Sequence, residues 1–234
     1  ERLSAELREA HASAPIGVIR RFHRLFYERG VWKSGTWAGV PILKNPADLF
    51  LYQELIFRRR PRYIVELGAN QGGSTLFFAH MLDLVGGDGK VLSVSIDDAW
   101  AETVRAHPRV EVLAGSSTDP AIVAEVVRRV SSGGGCLVNL DSDHSRDHVL
   151  SECRAYGPMV TPGCYMVVAD TLVGHITEEN APKKRSKLWF KGDEPLSALQ
   201  DYMAETNQFE VDEVLNGKLV LSSSPGGYVR RKPD

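Results

Sequence analysis

From residue 63 to the end of the chain, short apolar runs alternate with segments whose apolar positions recur at helical spacing. Runs at 64–65, 90–96, 110–113, 136–140 and 164–168 read as buried strands. Segments 74–84, 120–130, 146–156 and 196–204 read as helices between and after them. Ahead of this alternation, residues 3–29 predict a helix broken near Pro15 and ended by Gly30. A loop over 31–46 follows, marked by Trp32, Gly35, Trp37, Gly39, Pro41 and Pro46; Asn45-Pro46 then opens a helix that runs to Arg58. At the far end, 209–215 and 218–222 predict a closing hairpin around Asn216-Gly217.

Repeated strand–helix units predict an α/β fold, a mainly parallel sheet covered by helices on both faces, with the hairpin adding antiparallel strands at one edge. Residues 1–60 belong to the same domain as the core at 61–234. Ligands of such sheets bind beyond the carboxyl ends of the strands. That rule gathers Glu66-Leu67-Gly68, Ile96-Asp97, Gly115-Ser116-Ser117, Asp141-Ser142-Asp143-His144 and Asp170-Thr171 onto one rim.

The turn Glu66-Leu67-Gly68-Ala69-Asn70-Gln71-Gly72-Gly73-Ser74 is the most informative local motif. Gly68, Gly72 and Gly73 permit positive φ or close backbone approach, and N–H groups near Ser74 can hold an anion or a carboxylate. The spacing is G-x-x-x-G-G, whereas a dinucleotide fingerprint is G-x-G-x-x-G. NAD is therefore disfavoured, and the looser turn of S-adenosylmethionine enzymes fits. Glu66, Gly68, Asn70, Gly72 and Ser74 are the candidate cofactor residues here, with Ser117 and Asp141 further along the rim. Asp97, at the end of the second strand, is placed to bind both ribose hydroxyls, since one carboxylate accepts two hydrogen bonds; a register shift would put Ser95 there instead. The competing reading is a tight strand–helix turn without a ligand.

Two carboxylates and an imidazole crowd the segment Asp141-Ser142-Asp143-His144. The anions repel one another unless a cation or a proton on His144 offsets them. A hard ion such as Mg2+ suits oxygen ligands, so Asp141 and Asp170 are the first candidate ligands and Asp143 the third. His144 is the candidate general base, with a reference pKa of about 6.5. A solvated turn capping the next helix is the alternative. His23, His80, His107 and His148 read as surface or packing residues, and His175, in the loop beyond Asp170, as passive or else as a substrate contact. The polar stretch 173–195 reads as a lid or substrate loop, with a basic run at 183–187 and Trp189 for a sugar face, or else as a solvated basic segment.

Composition narrows the partners. A net charge of -2 gives no general attraction to nucleic acid or to an anionic membrane. No apolar run approaches a membrane span, and the charged start reads as a helix rather than a secretion signal. Cys136, Cys153 and Cys164 are odd in number and lack metal spacing, so buried free thiols in a cytoplasmic protein are expected. The early helix and the aromatic loop offer a surface for a homo-oligomer.

With these motifs in hand, the chain resembles the cephalosporin hydroxylase-like family of Mg2+-dependent S-adenosylmethionine O-methyltransferases over residues 31–222. The resemblance rests on Trp37-x-Gly39-Val40-Pro41-x-Leu43-Lys44-Asn45-Pro46, Ile64-Val65-Glu66-x-Gly68 with Gly72-Gly73-Ser74, Gly115-Ser116-Ser117-Thr118-Asp119-Pro120, Leu140-Asp141-Ser142-Asp143-His144 and Val167-Val168-Ala169-Asp170-Thr171. It implies a Rossmann-like class I methyltransferase fold with a seven-stranded sheet, a metal held by the acids after the fourth and fifth strands, and His144 as base. It also implies a sugar or glycoside acceptor, nearest to the 1-hydroxyl of a 3-O-methylmannoside in mycobacterial polysaccharide synthesis. An antibiotic hydroxyl, or a non-catalytic cofactor-binding role, is the alternative. The family pattern has Glu-Asp-Thr where this chain has Ala169-Asp170-Thr171. Either the site is rearranged or Ala169 replaces a glutamate, and activity turns on that position. Ser95 departs more mildly, an acid being usual there.

Overall fold

The computed structural model describes residues 21–22, 25–26, 29–130, 133–175, 192–218 and 221–233. Most of the expected first helix lies outside the described residues, as do the basic run and Trp189. A small antiparallel pair, β1 (Thr36–Trp37) and β2 (Val40–Pro41), precedes helix α1 (Pro46–Arg59). The Asn45 side-chain oxygen caps α1 by accepting from the Ala47 N–H at 3.0 Å, with Pro46 supplying a helical φ at the first position.

The core alternates β3 (Tyr63–Leu67), α2 (Gly73–Val85), β4 (Lys90–Ser95), α3 (Glu102–Arg105), β5 (Val110–Ala114), α4 (Pro120–Val130), β6 (Cys136–Leu140), α5 (Arg146–Tyr156), β7 (Tyr165–Val168), α6 (Pro195–Glu205), β8 (Phe209–Val211), α7 (Glu213–Lys218) and β9 (Tyr228–Arg231). The seven-stranded sheet has the order β5-β4-β3-β6-β7-β9-β8. Strands β5 to β7 in that order are parallel, and β9 and β8 close the edge antiparallel. Chain order reverses between β3 and β6, which opens a crevice above their carboxyl ends. Ile64, Val65, Leu92, Val94, Leu137 and Val138 are all fully buried, as expected of parallel strands covered on both faces. Tyr52, Ile56 and Phe78 pack on that sheet from α1 and α2.

The closing antiparallel pair exists, but not around Asn216-Gly217. Those residues lie in α7. The Asp212 carboxylate accepts from the Leu215 N–H at 2.9 Å and so starts a helix where the local dipeptide favours a turn. Asn216 then donates to the Tyr228 carbonyl at 2.9 Å, bridging α7 to β9. The segment entering β9 is tied to α1: Asp48 accepts from Ser222 Oγ at 2.5 Å, the Ser223 N–H at 2.9 Å and Tyr228 Oη at 2.9 Å.

Trp37 is a packing residue. Its indole N–H donates to His80 Nδ1 at 2.9 Å and its ring meets Phe77 edge-on. Cys136, Cys153 and Cys164 are buried and free, and burial pushes the thiols up, Cys164 to about 11. Among the described residues no helix is long and apolar enough to cross a membrane.

Candidate active site

A cavity of about 1040 Å³ lies over the carboxyl ends of the parallel strands. Its walls include residues 68–70 after β3, Ser95 at the end of β4 with 96–97 after it, 115–117 after β5, 141–144 after β6 and 169–170 after β7. The sequence-predicted rim is therefore one surface, assembled by strand order.

Two predicted cofactor residues stand back from it. Glu66 is fully buried in β3 and accepts from Thr75 Oγ1 at 2.5 Å. Burial pushes its carboxyl up, opposed by hydrogen bonds from Ser74 and Thr75. It anchors the start of α2 from below, while Ser74 itself lines the cavity. Gly72 (φ 88°) packs under Trp100 and Val104, where a Cβ would stand 2.8 Å from Val104 Cγ1. Gly68 (φ 92°) both lines the cavity and lets the chain cross the end of β6: a Cβ there would lie 2.1 Å from the Asp141 carbonyl oxygen. The glycines thus serve packing between elements as much as ligand approach. Asn70, also at positive φ, and the exposed Asp97 line the cavity as expected, and the buried Ser95 lies beside Asp97.

At the β6–β7 side, ligand atoms of Asp141, His144 and Asp170 all lie within 4.8 Å of one another. His144 Nε2 is 3.4 Å from Asp170 Oδ2 and 4.0 Å from Asp141 Oδ1. Asp170 adopts a left-handed backbone (φ 53°), a conformation that costs a non-glycine residue energy and is held by the surrounding turn. Asp143 stands outside this group. Its carboxylate accepts from the Ser145 N–H at 2.8 Å, in the turn that enters α5. Ala169, also at the cavity wall, offers no ligand atom beside Asp170.

Lys44, which the sequence offered only within a longer motif and without a role, joins this group. It comes from the loop before α1, is buried, and meets Asp141 Oδ2 at 2.5 Å. Burial opposes its charge most, yet Asp141, Tyr52 and Glu66 together outweigh this and hold the ammonium above its ordinary value. Burial likewise raises the Asp141 carboxyl, opposed by Lys44 and reinforced by Asp170. Nothing in the local spacing announces the pair, since its partners are 97 residues apart. Lys44 neutralises one anion of the group and leaves Asp141 Oδ1 facing His144 and Asp170. Two carboxylates that converge beside His144, one of them held from its far oxygen by Lys44, fit a divalent cation that keeps several waters. His148 also departs from expectation: it lines the cavity and contacts Ser117 Oγ at 3.1 Å.

The family model described as rhamnosyl O-methyltransferase/CmcI matches residues 29–232. The chain belongs to this family. It is similar to a rhamnosyl O-methyltransferase of Mycobacterium leprae (strain TN), 33% identical over 219 residues that cover 92% of this chain and 91% of the relative. A rhamnosyl O-methyltransferase of Mycobacterium tuberculosis (strain ATCC 25618 / H37Rv) is 32% identical over 92% of this chain and 85% of its own. Among solved structures, the apo form of CmcI-N160 superposes with a TM-score of 0.64 at 19% identity, covering 86% of this chain and 78% of that one. The Mg-SAM form of CmcI-D160 gives 0.60 at 18% identity with the same coverage. These likenesses establish the fold, and membership makes the chain an O-methyltransferase of the CmcI type.

Proposed function

We propose that this O-methyltransferase carries a methyl group from S-adenosylmethionine to a hydroxyl of a small sugar acceptor, with Mg2+ at the acceptor end. The convergence of Asp141, His144 and Asp170 at one end of a rim cavity carries the reading. Asp141 and Asp170 would hold the ion, which when bound lowers the pKa of a neighbouring hydroxyl. The protein's own part is alignment and proton transfer. The start of α2 near Ser74 receives the carboxylate of the methionine moiety, and Asp97 the ribose hydroxyls. The acceptor oxygen attacks the methyl carbon as the carbon–sulfur bond breaks, and His144 takes the hydroxyl proton.

The curated relatives are rhamnosyl enzymes, whereas the family resemblance implies a 3-O-methylmannoside. Rhamnose is 6-deoxymannose, so both readings describe a ring of manno relative configuration. Label transfer from S-adenosylmethionine to rhamnosides, 3-O-methylmannosides and a macrolide sugar tests the acceptor; methylation of the macrolide alone would overturn the sugar class proposed. In the same assay His144→Ala is expected to lower turnover by about 10²- to 10⁴-fold with cofactor affinity kept. Equal turnover would remove the role given to His144.

A further inference from the structure

Behind the β5 side of the cavity sits Glu152 of α5, fully buried and not itself part of the cavity wall. Its Oε1 accepts from Ser117 Oγ at 2.5 Å and from Ser142 Oγ at 2.5 Å, and lies 3.2 Å from His148 Nε2. Tyr156 Oη donates to the Ser117 carbonyl at 2.7 Å and fixes the backbone of the same turn. Ser117, Ser142 and His148 all line the cavity.

The direction of these bonds has a chemical consequence. A carboxylate only accepts, so both serine hydroxyls must spend their single hydrogen on Glu152, and the imidazole must carry its hydrogen on Nε2. What the two serines retain for the cavity is lone pairs. This wall accepts hydrogen bonds from a ligand and cannot donate to one through those hydroxyls. Ser117 follows β5, at the opposite side of the parallel strands from β7 and Asp170, and Glu152 joins it to Ser142 in the turn after β6. If the reacting methyl lies by Asp141 and Asp170 and the ribose by Asp97 after β4, the base of the cofactor extends toward Ser117.

We propose that Glu152 is a positioning residue that orients Ser117 and Ser142 so that the cavity selects a 6-aminopurine over a 6-oxopurine. The inference rests on the S-adenosylmethionine reading given above. An adenine amino group donates to the serine lone pairs, whereas a 6-oxo group would set oxygen lone pairs against them.

The test is calorimetric titration of the full chain with S-adenosylhomocysteine and with its deaminated counterpart, S-inosylhomocysteine. The unmodified protein is expected to prefer the amino form by about tenfold or more. Glu152→Met removes the acceptor and frees the hydroxyls to turn toward the cavity, so the preference should fall below about threefold. Glu152→Gln keeps a carbonyl oxygen in the same place and should retain it. A role in stability alone predicts that the ratio of affinities is unmoved. Equal binding of the two ligands by the unmodified protein, or the same ratio in the Met and Gln variants, would overturn the proposal. If Glu152→Met does not fold, Ser142→Ala reports instead: it should cut the ratio by at least about threefold, and an unchanged ratio counts against Glu152. Binding of neither ligand would overturn the cofactor reading itself, a result distinct from binding without discrimination.

Discussion

Asp141 meets a different partner at each oxygen: Lys44 at one, and the His144–Asp170 side at the other. The lysine lowers the cost of holding two carboxylates together, but it also takes up half of Asp141's capacity as a ligand. Ala169 gives nothing back, and the glutamate that the resemblance implies at this position is absent. Ala169→Glu is expected to tighten Mg2+ binding by roughly tenfold, about 1.4 kcal/mol, and to raise metal-dependent turnover. Metal titration followed by assay with and without EDTA checks this, and a restored chain indifferent to EDTA would count against a metal role. At this scale the sequence was legible where charge crowds within a few residues, as at Asp141 to His144. It gave no role to Lys44 or to Glu152, whose partners Asp141 and Ser117 stand 97 and 35 residues away. It also offered Asp143 as a ligand, and the structure turns that carboxylate to the Ser145 N–H, outside the group of Asp141, His144 and Asp170.

Elements meet where glycine allows it. Gly68 passes beneath the Asp141 carbonyl, and Gly73 at the start of α2 passes beneath Pro41 of β2, where a Cβ would lie 2.2 Å from the Pro41 oxygen. The first contact positions the acid-bearing end of β6 against the end of β3. Gly68→Ala should therefore displace Asp141 and cost about 2–5 kcal/mol, from overpacking together with a strained positive φ. A chemical denaturation midpoint close to that of the parent chain would contradict this account. The G-x-x-x-G-G spacing was readable as a strand–helix turn, but which neighbours impose each glycine was not. The misplaced hairpin has the same origin. Asn216-Gly217 is a strong turn signal in isolation, and it gives way to an Asp212 cap and to bonds from Asn216 to β9 that only the assembled sheet provides.

For the molecule as a whole, strand order does most of the functional work. Alternation of apolar runs and helical segments was enough to predict a parallel sheet, and the sheet brought the five rim segments together without further information. What closes the molecule was harder to foresee: Asp48 on α1 holds the entry to β9 through three hydrogen bonds. Asp48→Ala would leave the Ser223 N–H and two hydroxyls buried without that acceptor, at an expected cost of about 2–4 kcal/mol. Thermal unfolding of the variant measures the loss, and an unchanged transition would show that the strap contributes little. The same closure governs the three thiols. Cys136 begins β6, Cys164 immediately precedes β7 and Cys153 lies inside α5, all buried and poorly ionised. A maleimide therefore finds no reactive sulfur in the closed protein. Its rate of labelling counts the excursions in which the central sheet and its covering helix part, so the chain carries a built-in reporter of opening that needs no engineered probe.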